Sequence, residues 1–252
     1  MKVAIRIAAI VLALIGIVAA VARFVFPRDL ATRLEPTRAA MLREMSVVDA
    51  KAAERPIEVR TFDRHFSAHL RTTLVHVGPG GVVLALMLLQ FSRRFRDRYR
   101  AFHRWSGRVV VIGGLASGFA GLYFGTVKPF GGNAERIAAL LFGGLFVVSL
   151  TRGFLLARQR NFDRHREWMI RAVAVAYGIA TIRVFSTIID PLTAPLGWGM
   201  DSVLVASLWS GWIVMVVFAE LWIRATRQDA LRHTKMIDSG LELASPAGSR
   251  IS

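Results

Sequence analysis

The chain has 252 residues, 54% of them hydrophobic, with a mean hydropathy of +0.46, a formal net charge of +16 and no cysteine. Apolar runs long enough to cross a bilayer argue against a soluble domain, and the absence of Cys excludes disulfides, thiolate iron–sulfur ligation and covalent c-type haem attachment. The Arg residues gather at the ends of the apolar runs, so the charge is read as membrane orientation and not as a nucleic-acid surface.

The expected fold class is all-α: a polytopic bundle of about six transmembrane helices with both termini cytoplasmic. Residues 1–26 form an N-terminal membrane anchor. Ala20-Val21-Ala22 leaves a cleaved signal peptide open as the alternative. Residues 27–66 are polar and external, and Met41, Met45 and Val48 have the spacing of a short amphipathic helix. Residues 67–223 form the membrane domain, with spans at about 67–91, 109–127, 137–156, 168–189 and 202–223. Residues 224–252 form a cytoplasmic tail, disordered beyond Gly240.

The second span holds the densest set of unusual residues. Pro79 cannot donate to the carbonyl of Val75, and Gly78, Gly80 and Gly81 loosen the same turn, which predicts a helix broken near its middle. His69 and His76 are seven residues apart and share one face. Arg71 lies between them in sequence. Ionisable residues inside a span are functional candidates by default. In the third span, Gly113, Gly114, Gly118, Gly121 and Gly125 predict close helix approach.

The loops at 93–108 and 158–166 are rich in Arg, whereas the loops at 128–135 and 190–201 are nearly free of Lys and Arg. The positive-inside rule then places the first pair on the cytoplasmic side of a bacterial-type inner membrane. The two basic loops also resemble each other. His103-Arg104-Trp105 and His165-Arg166-Glu167-Trp168 each precede a span that opens with a further Arg, which suggests an imperfect parallel repeat.

Taken together, His76, Gly80, Gln90, His103-Arg104 with Gly107-Arg108, His165-Arg166 with Trp168-Met169-Ile170-Arg171, and Arg183 resemble the predicted-membrane-protein family catalogued as domain of unknown function 2306. The likeness covers about residues 66–183. It implies a membrane architecture and carries no established activity. Where the family has a Gly three residues before the Gln, this chain has Met87.

Three function classes stay open. The first is a membrane redox protein holding one b-type haem between His103 and His165 as iron ligands, with Arg104, Arg108, Arg166 and Arg171 pairing its propionates and His76 as a further ligand candidate. The order of spans is similar to that of the ascorbate-reducible di-haem cytochrome b family, but the fourth span has no His. The second is a transporter or lipid-binding protein with a small-molecule pocket at His69, Arg71, Pro79 and Arg183. The third is a structural or partner-binding subunit whose His, Arg and Trp residues anchor helix ends. Asp190 is the nearest acid to neutralise Arg71 and Arg183, and Arg152 with Glu220 forms an expected ion pair. His65 and His233 are expected to be solvated. A nucleophile motif, a zinc-protease helix and a P-loop are all missing, so hydrolytic chemistry is disfavoured.

Overall fold

A computed structural model describes residues 2–44, 56–90 and 92–244. Met45 and Val48 of the expected amphipathic helix lie outside the described residues, as does the tail beyond Ala244. Among the described residues the chain is helical throughout, with no strand.

The helices are α1 (Lys2–Val25), α2 (Leu30–Glu44), α3 (Pro56–Ala68), α4 (Leu70–Gln90), α5 (Arg93–Arg98), α6 (Arg100–Val127), α7 (Gly132–Ala138), α8 (Gly144–Arg158), α9 (Phe162–Thr193) and α10 (Met200–Ala244). A π-helical turn at Ala139–Gly143 joins α7 to α8 without interrupting the rod. Among the described residues six stretches are long and apolar enough to cross a membrane: Ile7–Val25, Leu70–Gln90, Arg100–Val127, Gly132–Arg158, Phe162–Leu196 and Met200–Gln228. This is a multi-pass architecture. The third and fifth helices begin earlier than expected, so His103 and His165 lie within α6 and α9 rather than in loops.

Helices α4, α6, α8 and α9 form a four-helix core: α4 packs on α6, α6 on α8, α8 on α9, and α9 touches α4. Helix α1 lies against α4 and α9, and α10 lies along α9. Glycine lets these axes come close. A Cβ at Gly114 would sit 2.6 Å from Leu150 Cδ1 of α8, and one at Gly16 would sit 2.8 Å from Leu84 Cδ1 of α4. The middle of the core is closely packed. Met87, Val110, Leu150 and Ala172, one from each core helix, are all at most 1% exposed. Met87, Val110 and Leu150 would each contribute about 1.5–3 kcal/mol when fully withdrawn from water, but packing density rather than hydrophobicity selects partners inside a bilayer.

The expected break at Pro79 is not there. Helix α4 runs unbroken from Leu70 to Gln90, and the turn falls earlier, at His69, where α3 meets α4. A proline deletes one helical hydrogen bond, and neighbouring helices can support the backbone around it. Here the Pro79 ring lies against Gly113 of α6, where a Cβ would be 3.6 Å from Pro79 Cβ. The carbonyl of His76, within the same turn, accepts a 2.6 Å bond from the Ser117 hydroxyl.

Helices α2 and α3 pack on each other and cap one end of the bundle. Asp63 of α3 accepts from Arg23 Nη1 of α1 at 3.1 Å and from the first-turn amides of Ala31 and Thr32 at 3.0 and 2.7 Å. Arg38 of α2 grips Asp190 of α9 through two bonds of 2.7 and 3.1 Å. Glu58 accepts from the amide of Met200, where α10 starts. The polar segment is therefore tied to three membrane helices.

Candidate functional site

The closely packed middle of the core separates two polar ends, and the candidate residues divide between them. The first end, beneath the α2–α3 cap, is built around His76. Its Nδ1 donates to the Ser117 carbonyl at 2.8 Å, while the Ser117 hydroxyl donates back to the His76 carbonyl. Two i, i+4 pairs interlock here, His76 with Gly80 on α4 and Ser117 with Gly121 on α6. A Cβ at Gly80 would fall 2.9 Å from Ser117 Oγ, and one at Gly121 would fall 2.9 Å from His76 Cε1. The reciprocal bonds fix the ring and, in the neutral form, put the proton on Nδ1. Nε2 is left with a free lone pair and no protein partner among the described residues.

Arg183 of α9 comes to the same end. Its charge reaches the His76 ring and the Arg23 guanidinium. Its one bond runs from Nη1 to the carbonyl of Ile179, one turn back on its own helix, at 2.9 Å. Its side chain is exposed, on the same face of α9 as Val184 and Ile188. No acid pairs with it among the described residues. Asp190, the expected counter-ion, is held by Arg38 instead. A cation at this depth without a counter-charge is costly.

Arg71 does not join this group. It is exposed, and five residues, about one and a half turns, put it on roughly the opposite side of α4 from His76. His69 does face α6, packing its ring on Phe124 with centroids 6.3 Å apart. His65, expected to be solvated, is half-buried in the same aromatic cluster, 6.1 Å from the His69 ring and 6.0 Å from Phe130. Burial pushes the His65 imidazole below its usual pKa, aided by the neighbouring His69 and opposed by a hydrogen bond to the Lys128 backbone. At Asp63, burial pushes the carboxyl up, but the amides of Thr32 and Ala31 and the Arg23 guanidinium outweigh it and hold the pKa below the usual range. The side chain of His233 lies outside the described residues.

At the opposite end, His165 Nδ1 donates to the Gly153 carbonyl of α8 at 2.7 Å, again leaving Nε2 free in the neutral ring. His103 lies within electrostatic reach of His165, and its Nδ1 is a buried atom with no hydrogen-bond partner among the described residues. Gln90 secures the α4–α6 junction, donating to Ser106 Oγ at 2.6 Å and to the His103 carbonyl at 3.2 Å. The arginines here are largely committed. Arg171 makes a two-pronged ion pair with Glu220 of α10 at 2.5 and 3.0 Å, Arg166 donates to Thr226, and Arg227 pairs with Glu167. Glu220 therefore pairs with Arg171 and not with the expected Arg152. The Arg152 guanidinium lies 5.8 Å from the centre of the Trp168 ring, and that of Arg171 lies 4.9 Å from it.

For a haem, two imidazoles with free or freeable nitrogens fit axial ligation. The propionate partners fit less well, because Arg166 and Arg171 already bind α10, which leaves the exposed Arg104 and Arg108. Among the described residues no group of three or more His, Asp or Glu gathers to hold a metal ion.

Sequence reasoning missed Ser117 and read Gly121 only as part of the close-packing glycine series. Their signal was present: the Ser-x-x-x-Gly of α6 repeats the spacing of the His-x-x-x-Gly of α4, but the glycine stripe alone points only to close packing.

No curated protein and no solved structure matches the chain. A family model described as predicted membrane protein (DUF2306) matches residues 73–223, and the chain belongs to that family.

Proposed function

We propose that this member of the DUF2306 family binds a small anionic or oxygen-rich molecule at Arg183, with His76 as a second candidate contact, as a transporter or lipid-handling protein of a bacterial-type cell membrane. The Arg-rich loops then face the cytoplasm with both termini, and the α2–α3 cap stands outside. One observation carries this reading: Arg183 is an open, unpaired cation within a span whose charged neighbours are Arg23 and an ionisable imidazole. Inside a membrane such a group calls for a counter-charge, and among the described residues the protein supplies none to it. A guanidinium fork is suited to two oxygens of one ligand.

The test is to purify the full chain and an Arg183→Gln variant in mild detergent and compare the co-purifying small molecules by mass spectrometry. A species present with the wild type and lost from the variant supports the binding site. Identical profiles, or none in either, contradict it.

A second reading has its own support in the unpartnered His103 Nδ1 beside His165. This pair belongs to a b-haem reading, in which the iron supplies one-electron chemistry and His165 is oriented by the Gly153 carbonyl. An absorption spectrum after expression with ample haem decides it. A Soret band lost in His103→Ala and His165→Ala supports ligation, and a flat spectrum removes it.

A further inference from the structure

We infer that the groove between α4 and α6 holds one acyl chain of an anionic phospholipid whose phosphate lies between Arg104 and Arg108, at the end of the bundle opposite the α2–α3 cap. The site is separate from Arg183 and stands on different residues. The groove has a volume of about 280 Å³ and is lined by Pro79, Val82, Val83, Val109, Ile112 and Gly113. Its lining is apolar throughout. Val82 is 51% and Ile112 70% exposed, so the groove opens outward, on the lipid-facing side of the two helices, and not into the core. Gly113 and Pro79 bring the helices together along it: a Cβ on Gly113 would lie 3.3 Å from Val83 Cγ2 and 3.6 Å from Pro79 Cβ.

The charge that selects the lipid lies on the same helix. Arg100, Arg104 and Arg108 repeat at i, i+4 and i+8 on α6, and the next position of that row is Ile112, in the groove. All three arginines are exposed, and among the described residues none has an ion pair or a side-chain hydrogen bond. Helix α6 carries no Asp or Glu, and Asp97 of α5 pairs with Arg96 at 3.5 Å. Like charges at i, i+4 repel, and a phosphate between two guanidiniums replaces the repulsion with charge-assisted hydrogen bonds. The depth agrees with this. Gly113 is at the middle of α6. Arg104 is nine residues from it, about 13 Å along the axis, against about 15 Å for half a bilayer's hydrocarbon core. A chain lying in the groove therefore brings its phosphate to the level of Arg104, and Arg108 reaches that level by extending its long side chain. Aromatic rings mark the same level. Trp105 is 58% exposed and lies 6.2 Å from Phe102, which lies 5.3 Å from Phe95 of α5. Exposed rings of this kind belong at the headgroup boundary.

The experiment is native mass spectrometry of the full chain, released from detergent containing an equimolar mixture of dioleoyl phosphatidylglycerol and dioleoyl phosphatidylcholine. The acyl chains are identical, so the headgroup alone decides between them. In the one-lipid complex the wild type is expected to prefer phosphatidylglycerol by about fivefold or more, the factor that a single basic residue supplies near an anionic lipid surface. Arg104→Gln combined with Arg108→Gln should bring the ratio to about one. Arg158→Gln combined with Arg164→Gln, an equal charge change at exposed positions of the same end, should keep the preference. Ile112→Trp fills the groove from an exposed position and should lower the retention of phosphatidylglycerol severalfold. Arg104→Lys combined with Arg108→Lys keeps the charge without the two forks and should fall in between, which covers failure of the double Gln variant to fold.

Equal retention of the two lipids by the wild type, or a preference that survives the loss of Arg104 and Arg108, overturns the inference. A preference lost equally in the Arg158 and Arg164 variant is a response to overall charge and overturns it too. If the preference depends on Arg104 and Arg108 but Ile112→Trp retains as much phosphatidylglycerol as the wild type, the arginines anchor α6 among headgroups with no chain seated in the groove, and the inference fails. Each of these failures leaves the Arg183 reading untouched, because none of the variants alters that end of the bundle.

Discussion

The two polar ends of the core carry similar residues and treat them in opposite ways. At the His165 end, Arg171 meets Glu220, Arg227 meets Glu167, Arg166 meets Thr226, and Trp168 is flanked by Arg152 and Arg171. That end has the chemistry of a fastening, with α9 locked to α10 by matched charge. At the His76 end, Arg183 bonds, among the described residues, only to a carbonyl of its own helix, and the His76 imidazole is held so that one nitrogen stays open. The difference separates arginines that hold helices from one that is free to hold something else.

The sharpest way to break the comparison is at the fastened end. Glu220→Ala leaves the half-buried Arg171 without its partner. Complete burial of such a pair would cost about 3–5 kcal/mol on breaking; with side-chain exposures of 19% and 35% the expected loss is nearer 2 kcal/mol. A lowered Tm in detergent checks it, and an unchanged Tm would show that this end is no more committed than the other. Next in size is Gly121→Ala, which places a Cβ 2.9 Å from the His76 ring and should cost about 1–3 kcal/mol by overpacking. The same variant should weaken ligand binding, because the ring can no longer keep its bond to Ser117.

A smaller effect is expected from pH, and it acts on the cap that covers the His76 end. His65 has a depressed folded pKa, so the stability it contributes is complete above the unfolded value of about 6.5 and is lost as pH falls below it. Asp63 is also depressed, so its contribution is complete above about 3.9 and is lost as pH falls through its lower folded value. Limited proteolysis of the α2–α3 segment should therefore accelerate in two acid steps, the first removed in His65→Phe. Uniform protection from pH 7 to pH 5 would contradict the first step.

Much of the architecture was legible in the amino-acid sequence, because a membrane span is announced by length and apolarity alone and needs no knowledge of its neighbours. The six spans follow from that, as does the close packing along Gly113 to Gly125. Partners were less legible. Glu220 is as near to Arg152 as to Arg171 when only helix ends are counted, and the rotation of α9 decides between them. Asp190 could meet Arg183 on its own helix only if α2 did not bring Arg38 to it. Pro79 was read as a break because composition shows the bond it loses and not the packing that replaces it. The candidate site is half legible: His76 and Arg183 stand out as ionisable groups within spans, whereas the carbonyl that orients His76 has no residue type to betray it.

The most direct test is the unfolding free energy of Arg183→Gln against the wild type, both stripped of bound lipid in detergent. If Arg183 waits for a ligand, removing its unmatched charge leaves the empty protein as stable as before, or more stable by about 1 kcal/mol. If the variant instead loses about 2 kcal/mol or more, as Glu220→Ala is expected to, Arg183 is another fastening and the proposed site is not one.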